Sequence, residues 1–103
     1  MNVNIQDYID SLRENPKQIG YYGRPPVVAF YAFLHGYARA RSPDHPEDAE
    51  FLADFNSHVM DRYRINSNQG WGAIIHFFSA SDEAEIDLFW RLMDQFLTSR
   101  KGT

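Results

Sequence analysis

Between Ile86 and Leu97 the chain carries a segment that is apolar around more than half of a helix. At 100° per residue, Ile86, Phe89, Trp90, Leu92, Met93, Phe96 and Leu97 share one broad arc with Leu88 at its edge, while Asp87, Arg91, Asp94, Gln95 and Thr98 fill the remaining strip. Such a helix cannot lie on a surface, because too little of its circumference tolerates water. It must be central, with other elements on two or three sides. The spacing therefore predicts an all-α fold: a compact single-domain bundle of about five helices spanning residues 1–103, with the C-terminal helix central.

The remaining periodicities supply the other helices. Asn4 is placed to cap a helix over about Ile5 to Arg13, in which Ile5, Tyr8, Ile9 and Leu12 recur at helical spacing before Asn15-Pro16 ends it. Asn15 to Arg24 has no helical period and is expected to be a long connection, in which Ile19 and one of Tyr21 and Tyr22 plug the core or the tyrosines serve recognition. Pro25-Pro26 suits the start of a second helix, Val27 to Arg41, with Val27, Phe30, Tyr31, Phe33, Leu34, Tyr37 and Ala38 on its apolar arc. Beside that arc runs a stripe of small residues, Ala29, Ala32, Gly36 and Ala40. A glycine inside a helix costs about 1 kcal/mol relative to alanine, so Gly36 is expected either against a closely packed helix or beside a ligand.

Ser42-Pro43-Asp44-His45-Pro46 makes a compact turn in which Asp44 can cap the next helix, about Glu47 to Tyr63. That third helix buries Phe51, Leu52, Phe55, Val59 and Tyr63 and turns Glu47, Glu50, Asp54, His58 and Asp61 outward. Attraction to the helix N-terminus accounts for Glu47 and Glu50 but not for Asp54 or Asp61, which lie too far along. A polar link, Ile65 to Gly70, precedes a short helix from Trp71 to Phe78, with Trp71, Ile74, Ile75 and Phe78 on one face. Ser79-Ala80-Ser81-Asp82 then offers caps for the last helix, whose first turns carry Asp82, Glu83, Glu85 and Asp87.

Composition excludes several functions. Cysteine is absent, which removes disulfides, thiol catalysis and thiolate metal sites and fits a reducing compartment. No apolar run reaches the ~20 residues of a membrane span, and Met1-Asn2-Val3-Asn4 lacks the character of a signal peptide, so the expected location is the cytoplasm. The net charge of -4 disfavours nucleic acid, although Lys17, Tyr21, Tyr22 and Arg24 form a basic, ring-bearing segment. Asp54, His58 and Asp61 share a helical face, but a solvated strip explains them without a metal, and no HExxH, phosphate loop or G-x-S-x-G elbow occurs. No cofactor, metal or catalytic residue is expected, and the chain reads as a binder rather than an enzyme.

The acidic strip of Glu47, Glu50, Asp54, His58 and Asp61, continued by Asp82, Glu83 and Glu85, is either a plain solvated face or a field complementary to a cationic protein. A rival reading is a small-molecule or enzymatic pocket formed by Tyr22, His35, Gly36 and Tyr37.

Leu12-Arg13-Glu14-Asn15-Pro16, Phe33-Leu34-His35-Gly36-Tyr37, and Trp71 with Ile74-Ile75, Phe78-Ser79, Phe89, Leu92, Asp94 and Phe96 together resemble a group of small bacterial proteins with an (I/L)R-x-x-P start, an F-L-x-G-Y helix and a tryptophan-led I-I segment. Gln18-Ile19-Gly20 departs from that group, where Met-Tyr/Phe followed by Gly is common. In size and style the group is similar to the immunity proteins that accompany bacterial toxins. The resemblance implies a toxin-neutralising binding protein and brings no catalytic residues with it.

Overall fold

A computed structural model describes residues 3–101 of the chain, and among them there is helix but no strand. The first helix, α1 (Ile5–Ser11), starts where the Asn4 side chain accepts a hydrogen bond from the Asp7 N–H at 2.8 Å, as the spacing requires. It tightens into a 3-10 turn, Leu12–Glu14, that keeps Leu12 buried.

The segment expected to be an irregular connection is instead a second 3-10 run, Pro16–Tyr22. Its three-residue repeat places Ile19 and Tyr22 on the same side, with Ile19 fully buried, Tyr22 half-buried and Tyr21 left 87% exposed. The run is tied to the core by Trp90, whose indole Nε1–H donates to the Pro16 carbonyl at 3.2 Å. An α-helical period misses this pattern because the turn is tighter.

The helices α2 (Pro26–Arg41), α3 (Pro46–Tyr63), α4 (Trp71–Phe77) and α5 (Asp82–Lys101) follow the expected order. Asp44 does not cap α3: the N-cap position is His45, without a side-chain cap bond. Ser81 does cap α5, its Oγ accepting from the Ala84 N–H at 3.1 Å. α5 touches α2, α3, α4 and the 3-10 run, burying Ile86, Phe89, Trp90, Leu92, Met93 and Phe96, so its breadth of apolar surface is used on every side. α2 shares the centre, since it meets those same three elements as well as α5.

Rings interlock the bundle. Phe89 stands edge-on to Phe30 at 5.5 Å and to Phe55 at 5.9 Å, and Trp71 lies 5.1 Å from Phe55 and 5.6 Å from Phe89. Each such pair adds roughly 0.5–1.5 kcal/mol beyond its buried area.

The small-residue stripe on α2 is not where helices meet. Ala32, Gly36 and Ala40 are exposed, and a Cβ built on Gly36 would meet nothing within 4 Å. The close approach occurs at α4, where Gly70 and Gly72 receive the ring of Tyr31. A Cβ on Gly72 would lie 2.6 Å from Tyr31 Cβ and 2.9 Å from its Cγ, so the α2–α4 contact requires the missing side chain. Gly72→Ala is therefore expected to lose roughly 1–3 kcal/mol in urea unfolding by overpacking. Gly36→Ala, relieved of glycine's backbone entropy in open space, is expected to gain about 0.5–1 kcal/mol.

Candidate functional site

The basic and acidic stretches that look separate in the sequence face each other in the fold. Arg13 pairs with Asp94, Lys17 with Glu83 at 3.2 Å, Arg24 with Asp82 at 3.6 Å and Arg41 with Asp48 at 2.9 Å. The first three pairs lie near the surface, so each contributes at most about 1 kcal/mol, but the second and third engage Glu83 and Asp82, two of the acids expected to extend the α3 strip.

Glu85 corrects that expectation outright. It is fully buried: Oε1 accepts from the Val27 N–H at 3.0 Å and Oε2 lies 3.0 Å from His76 Nδ1. Because α2 begins with Pro25-Pro26 and has no side-chain cap of its own, Glu85 supplies from α5 the acceptor that this N-terminus needs. Asp48, buried on α3, does the same for α1 by accepting from the Ile5 N–H at 3.0 Å.

On α3, Glu47, Glu50, Asp54 and Asp61 are exposed, in agreement with the outward face read from the sequence. They are not equivalent. Asp54 accepts from Arg100 at 3.0 Å, and Glu47 lies 3.1 Å from His45 Nδ1. A hydrogen bond from its own backbone N–H, followed by the His45 contact, holds the Glu47 carboxyl below the usual range. Glu50 and Asp61 have no ion pair among the described residues. His58 is half-buried with its ring 5.6 Å from Phe96, and burial pushes its pKa down while Asp61 opposes the shift. It belongs as much to the packing as to the strip. Among the described residues, no three His, Asp or Glu come together as a metal-ligand set.

The four residues expected to share one pocket are divided between two sides of α2. Tyr22 and Tyr37 join Tyr8 and Phe33 in a ring cluster, in which Tyr22 lies 4.9 Å from Phe33 and its hydroxyl is hydrogen-bonded to that of Tyr8. Burial, then the Tyr8 bond, raises the Tyr22 hydroxyl pKa. Tyr37 donates to the Val3 carbonyl and so laces the chain's start onto α2. These tyrosines hold structure together and line no common cavity with His35.

His35 and Gly36 do line a cleft. It lies between α2 and α3, is closed at one end by Ser67, Asn68 and Gly70, and has a volume of about 720 Å³, within the usual range for small-molecule sites. In its wall His35 Nε2 accepts from the Trp71 indole Nε1–H at 3.2 Å, which leaves the ring proton on Nδ1. Burial lowers the His35 pKa, so the neutral form is favoured.

An exposed aromatic corner went unflagged by periodicity. Phe78, expected on the buried face of α4, is 44% exposed, and Phe77 beside it is 79% exposed. Tyr63 stacks on Phe78 at 4.3 Å with planes 7° apart, and Phe77 meets Phe78 edge-on at 5.0 Å. Ile65, Ala73 and Ile74 join the two phenylalanines around a shallow concavity of about 220 Å³. The signal in the sequence was the doublet itself, since two adjacent phenylalanines ending a seven-residue helix cannot both face inward.

Comparison with known protein families, with curated proteins and with solved structures finds no match for this chain.

Two measurements check the buried polar groups. Glu85→Ala orphans the Val27 N–H and is expected to lower unfolding free energy by roughly 1–3 kcal/mol. His35 and His58 have folded pKa values below the unfolded value, so the unfolded chain binds more protons and stability falls as pH drops below about 6.5. Melting temperature is expected to decline between pH 7.5 and 5.5, and a His35→Gln/His58→Gln variant is expected to show a flatter slope over that window.

Proposed function

We propose that this chain is a protein-binding module of the toxin-neutralising kind, docking a cationic bacterial protein. The observation that carries the reading is the corner of Tyr63, Phe77 and Phe78, where three rings lie together with two of them substantially in water. Large apolar rings cost free energy when left hydrated, and aromatic side chains are the commonest anchors at interfaces between proteins. A phenylalanine doublet displayed on a helix end suits insertion into a partner's pocket.

Charge would act on the encounter rather than on the anchor. Glu50 and Asp61 retain exposed carboxylates with no ion pair among the described residues, and Asp61 lies two residues before Tyr63 on α3. A negative strip of this kind attracts a basic partner over about a Debye length and speeds association, with less effect on the lifetime of the complex. Asp54 contributes less because Arg100 already sits against it.

The test uses the intact chain and the purified protein product of the gene adjoining its own, with binding followed by calorimetry and association rates by surface plasmon resonance. Phe77→Ser/Phe78→Ser is expected to weaken binding about 30-fold or more, mainly through faster dissociation. Glu50→Lys/Asp61→Lys is expected to slow association several-fold at low salt, with the difference shrinking at high salt. Unchanged affinity in the phenylalanine variant, with a native circular dichroism spectrum, overturns the proposed docking surface. An adjoining gene product that does not bind at all overturns the toxin-neutralising role.

A further inference from the structure

We infer that the cleft between α2 and α3 is a binding site for a small organic acid with an apolar body and a hydrogen-bonding group. It is separate from the aromatic corner and does not depend on the proposed protein partner.

The cleft exists because the side chains facing each other across it are small. Ala38 of α2 looks across at Ala49 and Ala53 of α3, and Gly36 at the lip contributes no side chain, so the two helices diverge without filling the space between them. Leu52 and the ring of Tyr31 give the floor an apolar character that suits a hydrocarbon or ring.

The polar groups of the lining are unusually unengaged. Asn56 Oδ1 is buried and has no hydrogen-bond partner in the protein, while its Nδ2 reaches only the Met60 sulfur at 4.0 Å. Oδ1 is closed off from the cleft as the side chain stands, so a ligand meets this amide by turning it, which breaks only the weak contact to the Met60 sulfur. Once turned, the amide offers either a donor N–H or an acceptor oxygen to the ligand. His35 presents a similar opportunity. Its Nε2 is occupied by Trp71, and the Nδ1–H makes no hydrogen bond among the described residues.

Charge selects the class. No Asp or Glu lines the cleft, whereas Arg39 stands at its edge and forms no ion pair among the described residues. A guanidinium favours a planar carboxylate because its parallel N–H groups match the two oxygens. A ligand reaching from Arg39 to Asn56 thus has its acid outward, its amide or hydroxyl inward and its apolar portion against Tyr31, Leu52 and the alanines.

The probe is N-benzoylglycine, which has a ring, an amide and a carboxylate, compared with its uncharged primary amide. With isotope-labelled protein, the acid is expected to shift the backbone amide signals of Gly36, Ala53, Asn68 and Gly70 saturably, with a dissociation constant on the order of 1 mM for a ligand of this size. Arg39→Gln is expected to weaken the acid roughly five-fold and to leave the uncharged amide unaffected. Gly36→Leu puts a side chain where the backbone has open space, so it preserves the fold while narrowing the mouth, and it is expected to abolish saturable shifts from both compounds. Shifts confined to the Phe77 and Phe78 region, equal binding of acid and amide, or an Arg39→Gln variant that binds the acid as before would each overturn the inference.

Discussion

The seating of Trp71 is the constraint on which the rest of the molecule depends. Its indole is fully buried and touches rings from three other helices: Tyr31 of α2 at 5.1 Å, Phe55 of α3 at 5.1 Å and Phe89 of α5 at 5.6 Å. A buried indole also has an N–H that must be satisfied, and His35 of α2 accepts it. Removing such a side chain from a core costs on the order of 3–5 kcal/mol, a large fraction of the stability of a domain of this size. The helix that carries it is only seven residues long and would not persist alone in water. α4 is helical because Trp71, Ile74 and Ile75 are anchored, with glycines at 70 and 72 letting its backbone approach Tyr31 closely enough.

Polar groups follow the same economy of shared partners. Buried carboxylates are expensive unless they accept strong hydrogen bonds, and both buried acids here are spent on the unsatisfied N–H groups at the start of other helices. Asp48 joins α3 to α1 and Glu85 joins α5 to α2, so each fixes the relative position of two elements distant in the chain. Arg41 beside Asp48 completes one of these joints, and His76 beside Glu85 lies at the other. The exposed ion pairs between Lys17, Arg24 and the start of α5 then draw the 3-10 run over the same region.

What could be read from the sequence was whatever follows from a helical period. The apolar arc of α5, the Asn4 cap, the Ser81 cap and the outward acids of α3 all depend on residues three and four apart, and all are present, whereas His58 of that face turns partly inward against Phe96. The failures have a common origin in contacts between distant residues. Glu85 reads as a surface acid because acids near a helix start are usually solvated, and nothing local signals that Val27, 58 residues away, needs an acceptor. Gly36 and Gly72 have the same local chemistry, yet only Gly72 meets another helix. The reading that groups Tyr22 and Tyr37 with His35 fails because Tyr37 is two residues further along the helix and therefore on its far side, where the distant Tyr22 joins it through Tyr8 and Phe33.

Once internal pairing is taken into account, two surfaces retain unspent chemistry, and they differ in how they connect to the core. Phe77 and Phe78 lie at the end of α4, beyond its buried residues, so a partner could cover them without disturbing the packing of Trp71. The cleft is linked more tightly, because His35 lines it and through Nε2 also holds the Trp71 indole. Protonating His35 would remove the lone pair that accepts the indole N–H, so the neutral ring is required both for the core and for the form in which the wall meets a ligand. Any occupant that favours neutral His35 is thermodynamically bound to stabilise the bundle as well, by an amount set by its concentration relative to its dissociation constant. The arrangement makes the cleft part of the folding unit, whereas the aromatic corner is an attachment to it.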